Sequence, residues 1–281
     1  MEKYLEEIRE EQKASWNKSS HQWKQWDELI MDFLKPYGDE IIRKLHLKDT
    51  HVVLDVAGGT GEPGLTIASK LTKGRVIITD LADDMLVVAH ENAKKRGIEN
   101  VEFSACDVTE LPFDDNTFDA ISCRMGFMFF PDMLMAVKEM KRVLKPGGRI
   151  AASVWDAPEK NFWITALTKV IHQYMEFDMP PPGGPGMFRC AEPGLMTSLF
   201  KQAGLKNIMD KEVSGTLNCY TADTYWSYIS TASQTAVGAL SLLDNQTREK
   251  VKTDVYEAIH QRYPEGKVFV ESAALVISGE K

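Results

Sequence analysis

The sequence predicts an α/β protein: a doubly wound, mostly parallel sheet of seven strands carrying a helical cap. Three observations lead there. Short β-branched runs alternate with helical segments from residue 51 to residue 155. Those runs are apolar throughout instead of alternating with polar residues, as in a sheet covered on both faces. The first run also leads straight into a glycine-rich turn that opens a helix.

The elements follow in order. Residues 1–47 read as two helices, the first polar and the second apolar on one face, with Trp16, Trp23 and Trp26 among them. Strands are expected at 52–57, 75–80, 101–106, 118–123 and 149–155. Helices are expected between them at 61–71, 83–97 and 131–148. The helix at 83–97 starts on acids, ends on bases and stops at Gly97, as the helix dipole favours. Beyond 155 the texture changes. An aromatic-rich helix is expected at 161–177, a Pro-Gly linker at 179–186, a helix at 192–203 and a strand at 206–214. Two helices at 221–263 and a closing strand at 267–277 complete the chain.

The implied organisation is an N-terminal cap segment (1–47), a core (48–155), a cap helix and linker (156–190), and a core helix and strand (191–214). A cap insertion (215–266) and the closing strand (267–281) follow. A chain of 281 residues can bury roughly 75% of its unfolded surface, so no disulfide or metal staple is needed. The four cysteines form no CxxC pair, and Cys106 and Cys123 fall in apolar strands. They read as reduced thiols of a cytoplasmic protein. The net charge of −8 argues against nucleic acid as the main partner. The longest uncharged stretch, 224–243, is too rich in Ser, Thr and Gln to span a membrane. The six histidines show no ligand spacing, and no metal is expected.

The informative segment is VLDVAGGTGEPG, residues 53–64. Glycines there let backbone approach a ligand, and the helix start offers free N–H groups. Two frames fit it. Gly59 to Gly64 matches the dinucleotide pattern GxGxxG. Asp55, Ala57, Gly59 and Gly61 form an acid-led frame that resembles motif I of the class I S-adenosylmethionine (SAM) methyltransferases. In that frame Ala57 stands where the first glycine is usual. Further landmarks recur in order: Asp80 ending the second strand, Cys106-Asp107-Val108 after the third, LPFDDNTFDAI at 111–121 and RVLKPGGRI at 142–150. Over about 105 residues the run resembles the ubiquinone/menaquinone-biosynthesis C-methyltransferase branch. The tyrosine-lysine pair a short-chain reductase needs has one match, Tyr263 to Lys267, and Pro264 and Gly266 interrupt it.

The resemblance implies a Rossmann-like core, SAM as methyl donor with S-adenosylhomocysteine (SAH) as product, and a small-molecule acceptor. It implies cofactor contacts from Asp55, Ala57, Gly58, Gly59 and Gly61, from Asp80, Leu81 and Met85, and from Cys106, Asp107 and Val108. Arg124 and Trp23 complete that set. Two roles are open to Asp55, cofactor contact or capping of the glycine turn; two are open to Arg124, an ion pair with a local acid or contact with the methionine moiety. Asp80 is expected to hold the ribose hydroxyls, so its loss should weaken cofactor binding and leave the unliganded melting temperature little changed. Phe127 and Phe129, at the exit of the fourth strand, and Phe162 and Trp163, at the start of the cap helix, are the expected acceptor contacts. No catalytic residue is named, because an activated methyl needs alignment and desolvation more than a nucleophile. A SAM-binding protein without transferase activity and a nicotinamide-dependent reductase are the competing classes.

Overall fold

The computed structural model describes residues 2–176 and 184–281. Most of the 179–186 linker lies outside the described residues; the helix expected at 161–177 runs only from Phe162 to Ile171, and 172–176 are already turn and loop. Seven strands form one sheet in the order β3-β2-β1-β4-β5-β7-β6. They are β1 (Val52–Val56), β2 (Arg75–Asp80), β3 (Val101–Ala105), β4 (Phe118–Arg124), β5 (Leu144–Trp155), β6 (Lys206–Tyr220) and β7 (Val268–Glu280). The first five are parallel, and β7 runs antiparallel between β5 and β6. The strand order reverses between β1 and β4, which opens a crevice at their carboxyl ends, the usual ligand position in such sheets.

Helices cover both faces. Val53, Ile78 and Ala120 bury against Ile41 of α2 (Asp27–Leu45), Ile67 of α3 (Gly64–Lys70) and Leu86 of α4 (Asp83–Arg96). On the opposite face Leu54, Ile121 and Ala152 meet Val137 and Met140 of α5 (Met133–Val143) and Phe200 of α7 (Leu195–Gln202). The sequence reading places all of 1–47 in a cap. Instead α2 lies along β4 to β7, and α1 (Glu2–Gln25) reaches over the strand ends, touching α4 and α8 (Ala222–Ala232). The rest of the cap is α6 (Phe162–Ile171), α9 (Gln234–Ser241) and α10 (Asn245–Arg262), packed with α8.

Other boundaries also differ from expectation. The helix expected to run to 148 ends at Val143, and Leu144 is already extended at φ −79°, ψ 137°. Lys145 precedes Pro146, and a residue before proline avoids the helical region. The two helices expected at 221–263 are three, because Ser233 is extended and its side chain accepts from the Ala236 N–H. Asp244 caps the third in the same way through the Thr247 N–H. The strand near 206–214 continues to Tyr220, where every residue from Met209 to Leu217 has a partner on β7. No described helix is long and apolar enough to cross a membrane.

Candidate active site

β1 ends at Val56 and the chain turns at once. Ala57 adopts φ 52°, a left-handed conformation that strains any residue with a Cβ. A Cβ on Gly58 would lie 2.4 Å from the Ile78 side chain, so the turn must sit directly on β2. Asp55 makes the turn rigid from below. One carboxylate oxygen accepts from the Ser122 hydroxyl at 2.6 Å and the other from the Gly64 N–H at 2.9 Å. Burial pushes this carboxyl up to about 7. Asp55 is fully buried and Gly61 packs on Leu65 and Ala89; neither lines the cavity above. Of the two roles open to Asp55, the geometry is that of the turn-ordering acid, and its contact with the cofactor is corrected to an indirect one.

A cavity of about 170 Å³ runs over the carboxyl ends of the parallel strands. Its first end lies above β2 and β3. There Asp80 accepts from the Gly59 N–H through one oxygen and from the Ala82 N–H through the other, both at 2.9 Å. Burial raises its pKa against those two bonds. Leu81, Met85, Cys106, Asp107 and Val108 line the same end. Asp107 accepts from the Thr109 N–H at 2.8 Å and pairs with Arg9 of α1.

The roof comes from α1. Arg9, Gln12, Trp16 and Trp23 all line the cavity. They stand three, four and seven residues apart, which is one face of a helix. Trp16 packs edge-on to Trp23 at 5.8 Å and to Phe129 at 5.1 Å. One buried polar atom here, Gln12 Oε1, lacks a partner among the described residues. Together with the Asp80 carboxylate it suits a ligand with several polar groups.

Arg124, the last residue of β4, lines the middle. Its guanidinium donates to Met31 Sδ at 3.5 Å, and no carboxylate ion pair holds it among the described residues. Burial lowers its pKa, while the charges of Glu62, Asp55 and Asp27 act the other way. Arginine stays cationic under such a shift. The ion pair that was one of its two expected roles is therefore absent among the described residues, and a charge faces the cavity.

The second end lies above β5 and is aromatic. Trp155 stacks on Phe33 at 5.6 Å and meets Trp163 at 5.0 Å, while Phe33 and Trp163 are edge-to-face at 5.3 Å. Trp163 is held by its Nε1–H on Asn161 Oδ1 at 3.2 Å. Tyr228 of α8 closes this end. Two of the four expected acceptor contacts, Phe129 and Trp163, line the cavity and two do not. Phe127 is fully buried between Phe130 and Phe200. Phe162 packs on Tyr263 and under the Arg262 guanidinium, away from the cavity. Sequence reasoning missed Arg9, Gln12 and Trp155. For the α1 residues the helical stripe was the available signal; for Trp155 there was none.

The profile of the ubiE/COQ5 methyltransferase family matches residues 18–183. Among curated proteins, the ubiquinone/menaquinone biosynthesis C-methyltransferase UbiE of Idiomarina loihiensis is 37% identical over 134 residues, 47% of this chain and 51% of that one. The chain thus spans about half the length of that relative. The demethylmenaquinone methyltransferase of Bacillus subtilis is 30% identical over 195 residues, 64% of this chain and 82% of that one. Among solved structures, the YcgJ protein of Bacillus subtilis aligns with a TM-score of 0.56 at 21% identity, covering 87% of this chain and 97% of that one. The [4+2]-cyclase SpnF aligns with a TM-score of 0.56 at 19% identity, covering 94% and 96%. At such identities the structural likeness speaks for the fold.

Proposed function

We propose, from the premise that this chain belongs to the ubiE/COQ5 methyltransferase family, that it transfers the methyl group of SAM to a flat, apolar small molecule held at the aromatic end of the cavity. The observation that carries this is one cavity with two chemically distinct ends, joined across the point where the strand order reverses. Neighbouring strands lie about 4.8 Å apart, so the crevice from β3 to β5 is roughly 19 Å long, enough for cofactor and acceptor in line.

The residues divide the work. Asp80 is the ribose ligand, with Leu81 and Met85 beside it and residues 106–108 along the adenine edge. Ala57, Gly58 and Gly59 give the backbone cradle. Arg124 answers the carboxylate of the methionine moiety, the anionic group that an unpaired buried guanidinium favours. Trp23 and Trp16 close the roof against water. When bound, SAM supplies a methyl carbon already activated by its sulfonium. The chain itself aligns the acceptor, excludes solvent and needs no nucleophile. At the far end, Phe33, Trp155 and Trp163 suit a planar ring. The Bacillus relative is named for methylating demethylmenaquinone, and a quinone-precursor ring is the kind of acceptor this end fits.

Calorimetry with SAM, SAH and NAD tests the reading. SAM and SAH are expected to bind and NAD is not; NAD binding without SAM binding would sink it. Arg124→Gln probes the methionine subsite. A charge-assisted hydrogen bond is worth about 1.5–3 kcal/mol, so SAH affinity should drop by about tenfold or more. Methylthioadenosine, which lacks the amino-acid group, should bind both proteins alike. An equal loss for both ligands would place Arg124 elsewhere.

A further inference from the structure

The roof helix α1 is pinned to the core on either side of Gln12. One turn before it, Arg9 pairs with Asp107, which follows β3. The next residue, Lys13, pairs with Asp83 at 2.9 Å, and Asn17 Oδ1 accepts from the Asp84 N–H at 3.0 Å. Those two acids open α4, just after β2. One turn further on, Trp16 packs edge-on to Phe129. Gln12 is therefore held above the ends of β2 and β3, over the part of the cavity that Asp80, Cys106 and Asp107 line. Its Oε1 is buried and meets no donor among the described residues. A fixed, buried acceptor without a partner is costly unless something that binds there supplies an N–H or O–H. The other acceptors at this end have partners. Both Asp107 oxygens are engaged, one by the Thr109 N–H at 2.8 Å and the other by the Arg9 guanidinium. Asp80 answers the ribose hydroxyls in the methyltransferase reading, and the methionine ammonium belongs beside Arg124. Of the donors SAM carries, the exocyclic amino group of adenine is the one left for Gln12.

We infer that Gln12 reads the cofactor's base: its Oε1 accepts from the adenine amino group, so α1 is part of the cofactor site and selects adenine over hypoxanthine. The inference rests on the methyltransferase reading and deepens it. A carboxamide is the side chain that pairs with adenine edges in DNA, and hypoxanthine presents a carbonyl oxygen where adenine presents its amine. Two acceptors would then face each other. The contact also matters to α1 itself. Among its described residues only Ile8 is buried, so the helix is held mainly by polar contacts, and the bound base adds one more.

Calorimetry on the full chain with SAH and S-inosylhomocysteine, which differ at that one position of the base, tests it. The wild-type protein should prefer SAH, and Gln12→Met should shrink that preference about tenfold. Methionine is close to glutamine in length and helix propensity but carries no amide. The melting temperature without cofactor should hold or rise, because the variant removes a buried acceptor that has no partner. An equal preference in both proteins would overturn the proposal and leave Oε1 to a water, and no preference in the wild-type protein would overturn it too. A lower melting temperature for the cofactor-free variant would make Gln12 a structural residue and overturn it as well. Failure of SAH itself to bind would overturn the underlying reading and the proposal with it, and is separately visible in the first titration.

Discussion

Asp80→Ala should lower SAM affinity by at least about a hundredfold and also lower the melting temperature of the cofactor-free protein. In the proposed cofactor complex this carboxylate would take two ribose hydrogen bonds worth about 1.5–3 kcal/mol each, and about 3 kcal/mol together corresponds to somewhat more than two decades in affinity. The sequence reading expects only the first effect. The structure adds the second, because the same carboxylate accepts from Gly59 and Ala82 and so ties the turn after β1 to the turn after β2. Removing it frees two backbone donors and loosens the cradle before any ligand arrives. Calorimetry and a thermal melt on one preparation separate the effects. An unchanged SAM dissociation constant would mean that another residue holds the ribose.

Asp55→Ala should cost about 2–6 kcal/mol of stability, whereas Asp55→Asn should be close to neutral. Alanine leaves the Gly64 N–H and the Ser122 hydroxyl buried without a partner, at about 1–3 kcal/mol each. Asparagine mimics the protonated acid, accepting from Gly64 and donating to Ser122. The two proteins should then diverge with pH. The folded carboxyl titrates at about 7 against an ordinary 3.8, so between those values the folded state holds the proton more tightly than the unfolded one. This contribution is therefore complete below about 4 and is lost as pH rises through 7. At about 1.4 kcal/mol per pH unit, wild type should lose roughly 2.5 kcal/mol relative to Asp55→Asn between pH 5 and pH 8. Urea denaturation at the two pH values reads the difference directly. Parallel curves for the two proteins would mean that Asp55 is ionised throughout.

The end of the cavity above β2 and β3 was legible in the sequence because it is built from consecutive backbone: a strand, a turn and the residue after the next strand. Asp55, Gly59, Asp80 and Asp107 are each fixed by their distance from a strand end, and strand ends are marked by the switch from β-branched to small or acidic residues. The aromatic half is assembled from β5, α2, α6 and α8, and no local pattern records which faces meet. Neighbours on a helix point about 100° apart, and of Phe162 and Trp163 only Trp163 faces the cavity. The sequence does not say which of them turns inward. Phe127 and Phe129 divide in the same way on a single 3₁₀ turn. On α1 the spacing of Arg9, Gln12, Trp16 and Trp23 was readable in principle. It was hidden because the helix is polar overall.

The placement of β7 between β5 and β6 has a consequence for the order of assembly. β6 is synthesised well before β7, yet among the described residues its ladder partner is β7 alone. Three cap helices, α8 to α10, are made in the interval. Until β7 arrives, the outer edge of β5 and both edges of β6 are open templates for another chain, the arrangement most prone to intermolecular pairing. A truncation that removes the 13 residues of β7 therefore leaves the 15 of β6 without a ladder as well. Its expected product on the ribosome or in the test tube is an aggregate and not a smaller enzyme.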